Sequence, residues 1–394
     1  MGQASQIRTL PNGLASVARV RRSGYDCAVF SFELTASDSG SKARRGRLHT
    51  PHGVVETPAF MPVGTKASVK GLTPSQIVAT GTEIILANTY HMLLRPGPEV
   101  VAEFGGLHGF MGWDKPILTD SGGFQIFSLA SLAKISDEGV TFRSHIDGAK
   151  LKLDPQSAID VQNKLGADII MAFDQCPPYP CERSQVEEAV SRTLRWAQAC
   201  RQAHTREDQA LFGIVQGGVY EDLRIRCAAE LRELDFPGYA IGGLSVGESH
   251  EQMMEVLDYL PAQLPEDRPR YLMGVGMPRD IVEAVRRGVD MFDCVLPTRN
   301  GRNAQAFTAN GPVKLRNEQY KTADQPIEDG CDCHACTHFS RGYIRHLFVV
   351  DEMLGPILAS IHNIRFYQRL MVRIRELIEQ DNLQAIYSEY PVAT

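Results

Sequence analysis

Eight short apolar runs, each followed by a polar or glycine-rich break and then a helical pattern, predict an α/β fold of the closed (β/α)8 TIM-barrel class. Two further observations support it. Three of the runs carry an aspartate at or near their C-terminal end, and the C-terminal strand ends are where such barrels build their sites. The chain of 394 residues exceeds the roughly 250 of a bare barrel, and the excess falls into two insertions, the second of which, after strand eight, holds a tight cysteine cluster.

The elements follow in order. Residues 1–28 carry Arg8, Arg19, Arg21 and Arg22 against Asp26, without periodicity. They read as a disordered extension, with a cleavable transit peptide as the alternative, and 29–394 as the catalytic barrel domain. The eight runs are TPAFMPV (57–63), EIILAN (83–88), KPILTD (115–120), ADIIMAFD (167–174), ALFGIVQ (210–216), GYAIGGL (238–244), RYLMGVG (270–276) and VDMFDCV (289–295). Between them TPSQIVAT, SQVEEAVSRTLRWAQACRQAH, YEDLRIRCAAELREL, HEQMMEVLDYL and PRDIVEAVRRG read as helices, several opening on a Ser, Thr or Pro start signal. Residues 121–152 form the first insertion, with a hairpin expected to turn at Asp147-Gly148. The second, with its contact helix, spans 296–366, and LGPILASIHNIRFYQRLMVRIRELIEQ supplies the closing amphipathic helix. An open doubly wound sheet is disfavoured, because no G-x-G-x-x-G follows the first strand.

Composition narrows the partners. Lys and Arg number 41 against 47 Asp and Glu, a net charge of -6, so a polyanion must be met by a local basic patch. Nine cysteines without a secretory signal fit a reducing cytoplasm. No apolar run approaches a membrane span.

The three terminal aspartates are Asp120, Asp174 and Asp293. Each alone could cap the turn or helix that follows; three at one barrel mouth point to a shared ligand. Paired carboxylates suit displacement at a sugar's anomeric carbon, one as nucleophile and the other moving the leaving group's proton. A third carboxylate can accept from both adjacent donors on the edge of guanine. Gln216 adds an amide, and the glycines of QGG (216–218), GGLSVG (242–247) and MGVG (273–276) let backbone approach a flat ligand. The basic stretch 297–321 carries Arg299, Arg302, Lys314, Arg316 and Lys321 against Glu318, and could clamp phosphates. Cys331, Cys333 and Cys336 offer three thiolates for zinc, and His334, His338, His346 or His362 could complete a structural tetrahedral set.

TPAFMPVGT, ANTYHMLLRPG, LTDSGGFQIFSL, MAFDQC, GGLSVGE, YLMGVG, MFDCVLPTRNGRN and CDCHAC with a later IHN, in this order, resemble the bacterial-type tRNA-guanine transglycosylases from about residue 31 to the C-terminus. The resemblance implies a barrel with a zinc-binding insertion. It also implies exchange of guanine at wobble position 34 of GUN anticodons (tRNAs for Asp, Asn, His and Tyr) for a 7-deazaguanine, a step of queuosine synthesis that proceeds through a covalent enzyme–tRNA intermediate. Carried onto this chain, it makes Asp293 the nucleophile and Asp120 the general acid/base. Ser121, Gly122, Gly123, Phe124, Asp174, Gln216, Gly243 and Leu244 would hold the base. Gly274, Val275, Gly276, Met277, Pro278, Arg279 and Asp280 would contact RNA, and the loop Thr298, Arg299, Asn300, Gly301 and Arg302 would read neighbouring nucleotides. His362 becomes the fourth zinc ligand, and a homodimer is implied. Val246 and Cys176 match members that take the aminomethyl precursor preQ1 rather than queuine; Met277 stands where relatives often have lysine. A non-catalytic partner subunit would lack Asp120 and Asp293; the archaeal-type enzyme would need extra C-terminal domains. A small-molecule glycosidase would have no evident use for the basic segment or the cysteines.

Overall fold

The computed structural model describes residues 30–129 and 131–393, so the expected extension 1–28 lies outside the described residues. Strands β1 (Ser31–Ser37), β2 (Arg44–Thr50) and β3 (Gly53–Thr57) form an antiparallel sheet ahead of the barrel. β4 (Ala59–Pro62), β5 (Ile85–Ala87) and β6 (Ile117–Thr119) begin the barrel. β7 (Ser131–Ser136), β8 (Gly139–Arg143) and β9 (Lys150–Leu153) make a separate antiparallel sheet. The barrel resumes with β10 (Ile169–Met171), β11 (Ala210–Val215), β12 (Tyr239–Ile241), β13 (Arg270–Leu272) and β14 (Met291–Cys294).

All eight apolar runs thus contain a barrel strand. Their order is β4-β14-β13-β12-β11-β10-β6-β5, every pairing parallel. The ring is nearly closed: Val63 bridges Leu86, and Gly64 N–H donates to the Leu86 carbonyl at 2.6 Å. Alternate strand residues face opposite ways, as the pleat requires. Met61, Leu86, Leu118, Met171, Phe212, Ile214 and Tyr271 fill one cluster, while Phe60, Ile85, Ile117, Ile170, Leu211 and Phe292 belong to the core shared with the helices.

The first sheet was not foreseen from the sequence, and it plugs the N-terminal end of the barrel. Leu48 and Val55 join the cluster of Met61 and Phe212. Arg44 reaches from β2 to Asp290, just before β14, with Nε–Oδ1 at 2.8 Å, and both groups are buried. The hairpin expected around Asp147-Gly148 is present as β8–β9, and a third strand, β7, pairs with it. The proposed helices form at Pro74–Ala79, Arg183–Ala203, Glu221–Arg232, His250–Tyr259 and Pro278–Arg286. The first and fourth of these carry capping boxes, on Thr73 and Ser249.

After β14 comes a helix at Leu296–Arg302, where a loop was expected through Thr298–Arg302. Helix formation is explained by packing on the closing helix, Leu354–Glu379, as its Asn363 Nδ2 donates to the carbonyls of Pro297 and Gln305 at 2.9 Å. A short hairpin, β15 (Gln305–Ala306) with β16 (Val313–Lys314), and helices His334–His338 and Arg341–Val349 complete the insertion. Among the described residues no helix is long and apolar enough to cross a membrane.

Candidate active site and metal centre

Asp120, Asp174, Gln216 and Asp293 sit at or just beyond the C-terminal ends of β6, β10, β11 and β14, so the parallel barrel gathers them at one mouth. Asp120 is buried, and three donors meet its carboxylate. Asn88 Nδ2 and Gln125 Nε2 lie 2.5 and 2.8 Å from Oδ2, and the Thr89 N–H lies 2.8 Å from Oδ1. Asp120 therefore does serve as a partial cap, although of the neighbouring helix Thr89–Leu94 rather than of the turn that follows it. Burial pushes its pKa up from 3.8 to about 6; the charge of Asp293 adds to the rise, and the hydrogen bonds oppose it.

Asp293 is half-buried. The Tyr271 hydroxyl donates to its Oδ1 at 2.5 Å, and the Gly274 N–H donates to the same oxygen at 2.7 Å. Burial raises its pKa as well, against these two hydrogen bonds. Both donors meet Oδ1, and no donor among the described residues meets Oδ2. Asp174 is buried behind the mouth, with Ser121 Oγ donating to Oδ1 at 2.8 Å and Gln216 Nε2 to Oδ2 at 2.7 Å; burial again raises its pKa.

The base-holding candidates are placed around these carboxylates. Gly123 N–H donates to Ser121 Oγ at 3.1 Å, and a Cβ at Gly123 would come within 2.7 Å of the Asp174 carbonyl, so only glycine fits there. Gly122 and Gly243 have φ of 80° and 64°. A Cβ at Gly243 would meet Gln216 Oε1 at 2.4 Å, and that oxygen is buried without a hydrogen-bond partner. Leu244 and Cys176 are buried, and the Phe124 ring is 49% exposed. A cavity beside Gly243 is lined by Tyr179, Val186, Tyr220 and Val246.

The RNA candidates separate by exposure. Met277, at 48%, and Arg279 face solvent, whereas Val275 and Pro278 are buried and Asp280 pairs with His250 at 2.8 Å. Arg299 is exposed, and Arg302 and Asn300 are partly so; Arg302 keeps one guanidinium nitrogen without a partner. Thr298 and Gly301 are buried, and a Cβ at Gly301 would lie 2.8 Å from the Ser360 backbone nitrogen. Those two residues pack the helix rather than presenting a reading surface.

Sequence reasoning missed Asn88, Gln125 and Tyr271, the groups that hold the Asp120 and Asp293 carboxylates. Asn88 ends the second apolar run and Gln125 stands in SGGFQ, but an amide carries no sign of which carboxylate it will meet.

Cys331, Cys333, Cys336 and His362 converge in the insertion. Their ligand atoms lie within 4.8 Å of one another and all four residues are buried. His362 Nδ1 is 3.7, 3.7 and 3.3 Å from the three sulfurs, while Nε2 lies 2.7 Å from the Phe307 carbonyl. Donation from Nε2 to that carbonyl fixes the tautomer in which Nδ1 is free to bind a metal. The set fits a metal ion, and four protein ligands would leave it no open position. His334 and His338 instead pack against each other, with ring centroids 4.4 Å apart and planes tilted by 40°.

A second group, His52, His108 and Asp168, lies at the opposite end of the barrel, ahead of β10. Its imidazoles stack at 3.6 Å with planes 14° apart, and His52 Nδ1 and His108 Nε2 both meet the Asp168 carboxylate, at 2.7 and 3.2 Å. Asp168 already accepts from the backbone N–H of Ile117 and of His52.

Against known proteins, residues 38–392 match the family model described as queuine tRNA-ribosyltransferase. Curated relatives with that name include those of Desulforamulus reducens, 57% identical over 89% of this chain and 95% of theirs, and Pelotomaculum thermopropionicum, 58% identical over 90% and 95%. The relative from Symbiobacterium thermophilum is 59% identical over 87% of this chain and 86% of its own. The chain belongs to the queuine tRNA-ribosyltransferase family.

Proposed function

We propose that this chain exchanges the guanine at wobble position 34 of GUN-anticodon tRNAs for the 7-deazaguanine preQ1, by two displacements at the ribose C1′. The single observation that carries this reading is the pair Asp120 and Asp293 at one barrel mouth, each held by its own donors and each raised in pKa. Asp293 Oδ2 forms a bond to C1′ as the bond to guanine N9 breaks, and Asp120 gives its proton to the departing guanine. The incoming base then loses its N9 proton to Asp120 and attacks C1′, which breaks the ester to Asp293. Two inversions at one carbon return the β-nucleoside. Asp174, with Gln216 behind it, accepts from the donor edge of the base, and the Phe124 ring covers a face of it. Arg299 and Arg302 meet the anticodon-loop phosphates, giving the acidic protein its local basic patch.

The metal is zinc, held structurally by Cys331, Cys333, Cys336 and His362. Next to that insertion Val349, Val350 and Met353 are exposed, Met353 at 80%. A second copy of the chain would cover these apolar side chains in a homodimer, which sedimentation would report. The reaction belongs to the cytoplasm, where the substrate tRNA is found.

The decisive experiment is release of labelled guanine from a GUN tRNA and incorporation of preQ1. Asp293→Asn should lose at least about 1,000-fold in rate, since it removes the nucleophile. Equal activity in both proteins would sink the assignment, and faster incorporation of queuine than of preQ1 would overturn the choice of base.

A further inference from the structure

Arg224 is fully buried in helix Glu221–Arg232, and its guanidinium pairs with no carboxylate among the described residues. It donates only to backbone carbonyls. Nε lies 2.5 Å from Gly218 O and Nη1 3.5 Å from Val215 O, while Nη2 lies 3.0 Å from Gly242 O and 3.2 Å from Gly243 O. These carbonyls belong to the last residue of β11 and to the loops after β11 and β12, the segments that flank Gln216 and the Gly243–Leu244 backbone. Burying a cation against carbonyls is costly, because no directly paired counter-charge offsets its lost hydration. Helix packing would be served by an apolar side chain at lower cost.

The peptide units explain what the cation does. In a trans peptide the C=O and N–H point in opposite directions, and neither of these bonds is among the cis peptides. With the Gly242 and Gly243 carbonyls turned to Arg224, the N–H groups of Gly243 and Leu244 point away from it. Neither N–H has a partner among the described residues. The glycines are what permit this arrangement: Gly243 has φ of 64°, and a Cβ at Gly217 would come within 2.5 Å of Arg224 Cγ.

We propose that Arg224 is a positioning residue for base recognition, aiming the Gly243 and Leu244 N–H groups at the 6-oxo oxygen of the purine. This rests on the reading of the mouth as a guanine site. A fixed positive charge at the carbonyl end of both peptides also strengthens the N–H donors at the other end, where negative charge gathers as guanine departs.

The test compares inhibition by guanine and by 6-thioguanine, which keeps the donor edge facing Asp174 but offers a weaker acceptor at position 6. The wild type should prefer guanine. Arg224→Lys should raise the guanine Ki about 10-fold and the 6-thioguanine Ki much less, leaving KM for tRNA within about 2-fold. An unchanged guanine Ki, or equal losses for both bases and for tRNA, would show a role confined to packing and overturn the proposal. Arg224→Gln serves as the second variant. If neither folds, hydrogen exchange of the wild type decides: guanine should slow exchange at Gly243 and Leu244, and no protection there would refute the aim of these groups. A wild type that binds guanine but releases none from tRNA would instead defeat the functional reading and leave the Arg224 result standing.

Discussion

In the proposed exchange Asp120 and Asp293 are two carboxylates asked to do opposite things, and their surroundings separate the tasks. Asp293 must be ionised to attack; its Oδ1 is tied by Tyr271 and Gly274, which favours the charged form. Asp120 must carry a proton to give, and burial together with the Asp293 charge holds its pKa near 6. A general acid is competent below its pKa. Single-turnover guanine release should therefore fall on the alkaline side with an apparent pKa near 6, a value belonging to the pair. Asn88 lowers the Asp120 pKa by bonding its charged form. Asn88→Ala should thus move the alkaline limb to higher pH, measured by rapid quench across the pH range. A limb that stays in place or moves down would remove Asp120 from the acid role. The aspartates themselves were legible in the sequence because each ends an apolar run or stands within two residues of its end. Their holders were not: Tyr271 looks like any core aromatic until the barrel closes and places its hydroxyl beside Asp293.

At the scale of elements, the closing helix Leu354–Glu379 ties together parts of the chain distant in sequence. His362 faces the three cysteines, Asn363 holds the Leu296–Arg302 helix through Pro297 and the Phe307 N–H at 2.8 Å, and Tyr367 donates to the Gly276 carbonyl at 2.5 Å. Arg365 pairs with Asp332 inside the cysteine cluster. A metal held by this set would anchor one end of a chain of contacts whose other end is the segment after β14 that carries Arg299 and Arg302. His362→Ala, or removal of the metal by a chelator, should abolish stoichiometric zinc and lower Tm. KM for tRNA should rise about 10-fold while the Ki for free guanine stays within about 2-fold, because the base pocket is built on other strands. Elemental analysis with kinetics on the folded fraction checks this, and a matching loss of guanine affinity would contradict it. The cysteine spacing announced this centre, and the amphipathic period announced the helix. The helical form of Thr298–Arg302 was hidden, since a segment with Pro, Asn and Gly reads locally as a loop and becomes helical only by packing Gly301 against Ser360.

For the whole molecule, the carboxylate mouth and the β1–β3 sheet sit at opposite ends of one barrel. The eight-strand period was readable because strands buried on both faces are continuous apolar runs. The sheet β1–β3 was not, because its polar, partly exposed strands carry no such signal. Two buried aspartates fasten it to the barrel floor, Asp290 through Arg44 and Asp168 through His52. Asp168 accepts from His52 Nδ1 at 2.7 Å, lies 3.2 Å from His108 Nε2, and takes the Ile117 N–H at 2.8 Å. These bonds outweigh burial and hold its pKa well below the usual 3.8. Its stabilising effect is then present above about pH 4 and lost as pH falls through the depressed value. The His52 pKa is raised, by the Asp168 hydrogen bond against burial, with Asp168 and Asp208 adding negative charge. That contribution is full below about 6.5 and disappears as pH rises through the folded value. Both operate together only in the window from about pH 4 to 6.5. Asp168→Asn should therefore destabilise the fold most in that window, by roughly 3 kcal/mol or about 4 °C in Tm, and by less at pH 8 and below pH 3. Guanine exchange at a temperature where both proteins are folded should be unchanged, since the mouth lies at the other end of the strands. Thermal melts across pH measure the first expectation and labelled guanine release the second; a Tm difference that did not vary with pH would show that the floor clamp is held by packing and not by charge.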